Sequence, residues 1–309
     1  HLVLLTTINL VKVVTRRLSH QVHLIMLLKI IVRTLIGFYF ALSLGLPYFT
    51  KAQLKQPHSL ITAHRGASSV APENTLSAFR RAWDIGCDAI EGDFRLTRDK
   101  QIICIHDANT ERLTGTNWEV AKMPLDLLQS LDFGTWKDVH FAGETCPTLN
   151  QVLLTVPTHG HFFIELKTGP EIVEPLAECL QRSSLPKNQI TLITFNQETL
   201  KKCRIFFPKM RIHWLTSFQQ HKSRANSWLP SPKQIAETLI QIGADGVGLQ
   251  ARRDIVTKDF LSQLKNEGVS EFHVWTVDEP KDAIFYINEG ALGVTTNKPA
   301  ALKACVKSF

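Results

Sequence analysis

From Ser59 onward, short β-rich runs alternate with amphipathic stretches, and this alternation narrows the architecture more than any other feature of the chain. The pattern predicts strands at Leu60–His64, Ala89–Leu96, Ile102–His106, His161–Lys167, Gln189–Phe195, Arg211–Leu215, Asp245–Leu249, Phe272–Val277 and Leu292–Thr296. Helical periodicity falls between most of them, at Val173–Gln181, Gln197–Phe206, Pro232–Ile242, Thr257–Gly268 and Glu279–Gly290. After Asn74, read as a helix cap, Leu76, Phe79, Ala82 and Trp83 form an apolar stripe, and Gly86 supplies the stop. Strand–helix alternation without a Gly-x-Gly-x-x-Gly turn favours a TIM-type (β/α)8 α/β barrel over a dinucleotide fold. Nine candidate strands for eight places make one of them a side hairpin or a misreading. Residues 107–150 break the rhythm and are expected to form a small inserted subdomain over the barrel mouth.

The first 58 residues read differently. Residues 1–59 carry Lys12, Arg16, Arg17, Lys29, Arg33, Lys51 and Lys55 and no acid, so the chain's formal charge of +7 resides entirely in this leader. The remainder, 59–309, is formally neutral, and nothing in the charge points to nucleic acid. Ile30 to Phe49 is apolar except for Arg33, close to the length that spans a bilayer. A signal peptide and an uncleaved anchor both fit; Pro47-Tyr48-Phe49 stands where a small-residue cleavage site belongs, which favours the anchor. The excess of bases on the N-terminal side would place the folded part away from the cytoplasm, membrane-associated or exported. An amphipathic helix packed on the domain is the competing reading. Met26 lies just ahead of the apolar run, so residues 1–25 read as upstream read-through or a fragment end. The six cysteines show no metal-type spacing and read as buried free thiols.

Chemistry concentrates at strand ends. Glu91-Gly92-Asp93 puts two acids at i and i+2, hence on one face of a strand. Arg98-Asp99-Lys100 marks a turn, and a two-residue turn at either position sets His106 opposite Glu91 or Asp93. His106 would then share their face, with Ile90, Phe94, Leu96, Ile103 and Ile105 on the other. Paired carboxylates repel unless neutralised, and a hard dication with oxygen ligands does so. Glu165 offers a third carboxylate, and Lys167, on its face, a cation for a phosphate. His64 and His106 suit acid–base catalysis near neutral pH. Arg65 brings a guanidinium fork for phosphate, and Gly66 the freedom for a sharp exit from the strand. His159, His161 and His213 have no partners at readable spacing.

Taken together, His64-Arg65-Gly66, Pro72-Glu73-Asn74-Thr75, Glu91-Gly92-Asp93, His106-Asp107, Glu165-Leu166-Lys167 and Trp275-Thr276-Val277 resemble the motifs of the glycerophosphodiester phosphodiesterase family over about residues 59–301. The resemblance implies an α/β barrel that hydrolyses glycerophosphodiesters to sn-glycerol 3-phosphate and an alcohol. It implies one divalent cation, Mg²⁺ or Ca²⁺, on Glu91, Asp93 and Glu165, with His64 and His106 as the acid–base pair. Arg65 and Lys167 would bind the phosphate, and Trp275 would border the substrate pocket. Four positions depart from the family pattern: Gly92 for an apolar residue, Asp99-Lys100 for Asp-Gly, Asp278 for Asn, and Asn297 for Asp in the last motif.

Two other functions compete. A lysophospholipase D or sphingomyelinase D-like activity on the same barrel would suit the leader and the apolar Phe133, Trp136 and Phe141. A non-catalytic binding barrel would show a lost histidine or acid, and every one is present.

Overall fold

The computed structural model describes residues 59–222 and 228–306; the leader, with its expected membrane segment at about 30–49, lies outside them. Eight parallel strands close on themselves in the order β1 (Leu60–Ala63), β2 (Ala89–Leu96), β4 (His161–Leu166), β5 (Ile190–Thr194), β6 (Arg211–Thr216), β9 (Gly246–Gln250), β10 (Phe272–Trp275) and β11 (Gly293–Thr296). Closure comes from β1, which pairs with β11 on one side (Leu60↔Gly293) and β2 on the other (Thr62↔Ala89). This is the expected TIM-type barrel.

The ninth strand is the side hairpin. β3 (Ile102–Cys104) runs antiparallel along the end of β2, at Phe94–Leu96, beyond the Ala63↔Ile90 pair where β1 stops. The upper edge of β2 is thereby paired instead of left open. A two-stranded ribbon of β7 (Gln219–Gln220) and β8 (Trp228–Leu229) completes the described strands.

Alternation along the strands decides what faces where. On β4, Phe162, Ile164 and Leu166 pack outward under the helices, while His161, Phe163 and Glu165 point into the barrel. Apolar side chains from β2, β4, β5 and β6 (Ala89, Phe163, Ile193 and Leu215) fill the interior. The helix Leu76–Ile85 starts at Thr75, whose hydroxyl accepts from the Ala78 N–H, and ends at Gly86 in the left-handed region (φ 82°). Thr75, not Asn74, is therefore the cap; Asn74 is engaged elsewhere.

Residues 107–150 form short helices and 3₁₀ turns, among them Glu111–Thr114, Leu125–Gln129 and Leu149–Leu153. Leu113, Val120, Leu128, Phe133 and Cys146 pack with Ile103 and Ile105 of the hairpin as a cluster of their own. Phe133 is thus a core residue and unavailable to a lipid, while Trp136 is 41% exposed. The cysteines are all free, five buried and Cys305 partly so. Among the described residues no helix is long and apolar enough to cross a membrane.

Candidate active site

The C-terminal ends of the strands carry the polar groups, as barrel geometry favours. His64, Arg65, Glu91, His106, Glu165, Lys167 and Trp275 line one cavity of about 240 Å³. A larger groove of about 630 Å³ beside Leu154 and Arg182 lacks any convergent acid–base set.

A sharp turn ends β1. Arg65 (φ 56°) and Gly66 (φ 77°) both lie in the left-handed region, and a Cβ on Gly66 would come within 2.6 Å of the Ala78 carbonyl carbon. A non-glycine residue in this region is sterically costly and persists where neighbours hold it. Here the turn aims the Arg65 backbone N–H at Glu91 Oε2, 3.0 Å away. It also swings the guanidinium to Glu73 (2.8 Å) and Asp93 (3.1 Å). Asn74, likewise left-handed (φ 60°), donates to Asp93 Oδ2 at 2.9 Å and accepts from the Asp93 N–H.

Glu91, Asp93 and Glu165 present carboxylate oxygens within 4.8 Å of one another, all buried. Burial, then the charges of Asp93 and Glu165, pushes the Glu91 carboxyl well above its ordinary range. Burial and Asp93 push Glu165 up to about 7. Burial raises Asp93 too, but Arg65, Lys167 and His106 outweigh it and hold this carboxyl low. Lys167 Nζ sits 2.8 Å from Glu165 and 3.6 Å from Asp93. Even so, Glu91 Oε1 and Asp93 Oδ1 are buried without a hydrogen-bond partner. Buried oxygens of this kind are costly unless something pairs with them. A hard cation seated among the three carboxylates would satisfy both, so the donor set fits one.

The two histidines reach the cavity by different routes. His64 follows β1; its Nδ1 bonds Asn297 Oδ1 at 2.7 Å, and its Nε2 is 3.9 Å from Glu91 Oε2. Burial, with Arg65 nearby, depresses its pKa. His106 follows β3, and the paired register differs from both sequence expectations. Phe94 faces Cys104 and Leu96 faces Ile102, because the hairpin turns through three residues, Arg98-Asp99-Lys100, with Lys100 left-handed (φ 63°). This one-residue shift sends Ile103 and Ile105 to the opposite face from the one expected, and it removes the paired-face argument for His106. The histidine lines the cavity nonetheless, two residues beyond the end of β3 at Cys104.

Sequence reading missed the groups that steady these residues. His106 Nδ1 meets Asp107 at 2.7 Å; Asp107 meets Arg112 at 2.6 Å; Arg112 meets Glu73 at 2.8 Å; and Glu73 meets Arg65. Asp278 receives Asn297 Nδ2 at 2.9 Å. Glu73, Asn74, Asp107, Asp278 and Asn297 all sat in or beside the quoted motifs, the one available signal. Trp275 donates its indole N–H to Gly248 O at 3.1 Å, with the Phe195 ring edge-on at 5.4 Å.

Comparison with known proteins agrees with this geometry. A model of the Glycerophosphoryl diester phosphodiesterase family matches residues 64–301. A glycerophosphodiester phosphodiesterase of Caldanaerobacter subterraneus is 29% identical over 79% of this chain and 96% of its own. YhdW of Bacillus subtilis, provisionally named for the same activity, is 32% identical over 77% of this chain and 94% of its own. Among solved structures, an Oleispira antarctica phosphodiesterase in complex with the product sn-glycerol-3-phosphate superposes with a TM-score of 0.70 at 23% identity, covering 80% of this chain and 96% of that one.

Proposed function

The chain belongs to the Glycerophosphoryl diester phosphodiesterase family, and we propose that it is a metal-dependent enzyme hydrolysing glycerophosphodiesters to sn-glycerol 3-phosphate and an alcohol. One observation carries the metal and acid–base detail. Three buried carboxylates cluster with two of their oxygens unpartnered, and two of the three, Glu91 and Glu165, line a cavity with two histidines, Arg65 and Lys167.

Glu91, Asp93 and Glu165 would hold one divalent cation, which when bound supplies charge neutralisation and Lewis acidity at the phosphoryl oxygens. Arg65 and Lys167 flank those acids and offer donors to the phosphate. One histidine takes the proton of the attacking oxygen, and the other returns a proton to the leaving alkoxide. Trp275 and Phe195 wall the side of the cavity where the alcohol portion would lie.

Ile193, Leu215 and Phe195 beside Trp275 give the cavity an apolar wall, which favours a second reading as a lipid phosphodiesterase of lysophospholipase D type. The leader's composition supports a membrane-associated or exported protein, testable by fractionation of the full chain. Product identification from a panel including glycerophosphocholine and lysophosphatidylcholine, with and without chelator, tests the assignment. Failure to release sn-glycerol 3-phosphate from any water-soluble diester would overturn it.

A further inference from the structure

Beyond the eight candidate residues lies a polar unit that joins the loop after β10 to the end of β11. Asp278 accepts from three donors: Thr296 Oγ1 (3.0 Å) and the Asn297 backbone N–H (2.8 Å) on Oδ1, and the Asn297 side-chain amide (2.9 Å) on Oδ2. The other end of that amide, Oδ1, meets His64 Nδ1 at 2.7 Å. An asparagine side chain has one accepting and one donating end, and its orientation follows from its neighbours. Were it reversed, its oxygen would face the Asp278 carboxylate, two acceptors with no proton between them. The amide therefore turns its N–H to Asp278 and its oxygen to His64. That oxygen only accepts, so His64 must donate from Nδ1.

We propose that Asp278 and Asn297 are positioning residues that lock His64 in its Nδ1–H form, leaving Nε2 as the nitrogen that meets the reacting atoms. The proposal rests on the reading of His64 as a proton-transfer group. Nε2 is the ring nitrogen on the Glu91 side, 3.9 Å from Oε2. The chain from carboxylate through amide to imidazole runs in one direction, so each bond polarises the next. A ring held by one nitrogen also keeps its plane, and a proton-transfer group loses rate when its aim drifts. The exchanged pair noted in the sequence, Asp278 for Asn and Asn297 for Asp, is in structure one contact with its two ends reversed.

The test reads the ring directly. In full-length protein labelled with ¹⁵N-histidine, with His64→Gln identifying the signals, the two nitrogens of His64 should report Nδ1 protonated and Nε2 bare at pH 8. In Asn297→Asp two carboxylates would oppose each other, and kcat should fall about tenfold or more with KM changed less than about threefold. Reversing the pair, Asp278→Asn with Asn297→Asp, should restore most of that loss; a recovered kcat with the same Nδ1–H signature supports the lock. A wild-type ring protonated on Nε2 overturns it, as does an Asn297→Ala variant with unchanged kcat and unchanged ring signals. The spectra need no turnover, so they judge the lock separately. Full activity in His64→Ala would instead defeat the proton-transfer reading of His64.

Discussion

Asp93 on β2 and Glu165 on β4 are direct partners in the parallel register, two buried carboxylates on one face of adjoining strands. Like charges so placed destabilise a sheet. The interior answers with Arg65 and Lys167, yet Glu165 is still pushed up to about 7. The barrel end is therefore strained in favour of a cation.

From that pair follows a split prediction. Mg²⁺ or Ca²⁺ added to chelated protein at about a hundred times its dissociation constant should stabilise by about 3 kcal/mol, a rise in Tm of roughly 5–10 °C. Glu165→Gln should raise the Tm of the chelated protein while shrinking the metal-induced rise and lowering activity. Differential scanning calorimetry reads both.

His64→Ala and His106→Ala should each lower kcat on the order of 10²-fold or more. Circular dichroism should remain unchanged, since neither side chain belongs to the packed core. Near-normal turnover by either variant removes that residue from proton transfer.

Arg112 ties Asp107 to Glu73, and through them His106 to Arg65. Arg112→Ala should lower kcat/KM about three- to tenfold by loosening both, with little change in Tm because the side chain is 46% exposed. Steady-state kinetics beside a thermal melt separates the two effects.

Acid should weaken the inner end of the barrel. His161 bonds Thr191 there, and His213 bonds both His273 and Glu271. Burial, helped by Arg211 and His213, pulls His161 down to about 3 from 6.5. The unfolded chain thus binds a proton that the folded chain refuses. This stability is complete above pH 6.5 and is lost as pH falls towards 3, on the order of 4 kcal/mol from His161. Urea denaturation at pH 7 and pH 5 should show the loss, and His161→Gln should flatten it.

Much of the barrel was legible because a parallel strand buried on both faces leaves a plain apolar signature. Gln197–Phe206 and Pro232–Ile242 match the helices found. The carboxylates were legible too, since a two-residue period needs no partner. The hairpin register was not: a left-handed Lys100 adds one residue to the turn, and no residue type there announces it. Gly92 is explained only by packing, since a Cβ would stand 3.0 Å from Phe79 and 3.2 Å from Cys104 Sγ. His161 and His213 showed no partner in the sequence because Thr191 and His273, which they meet, come from other strands.

The β2–β3 hairpin has a last consequence. One histidine of the pair directly follows a strand of the closed ring; the other follows an accessory strand backed by residues 107–150. Substitutions in that accessory layer can retune how His106 is presented while the eight-strand wall keeps its shape. Tolerance to mutation should thus be lopsided, generous around one imidazole and narrow around its counterpart.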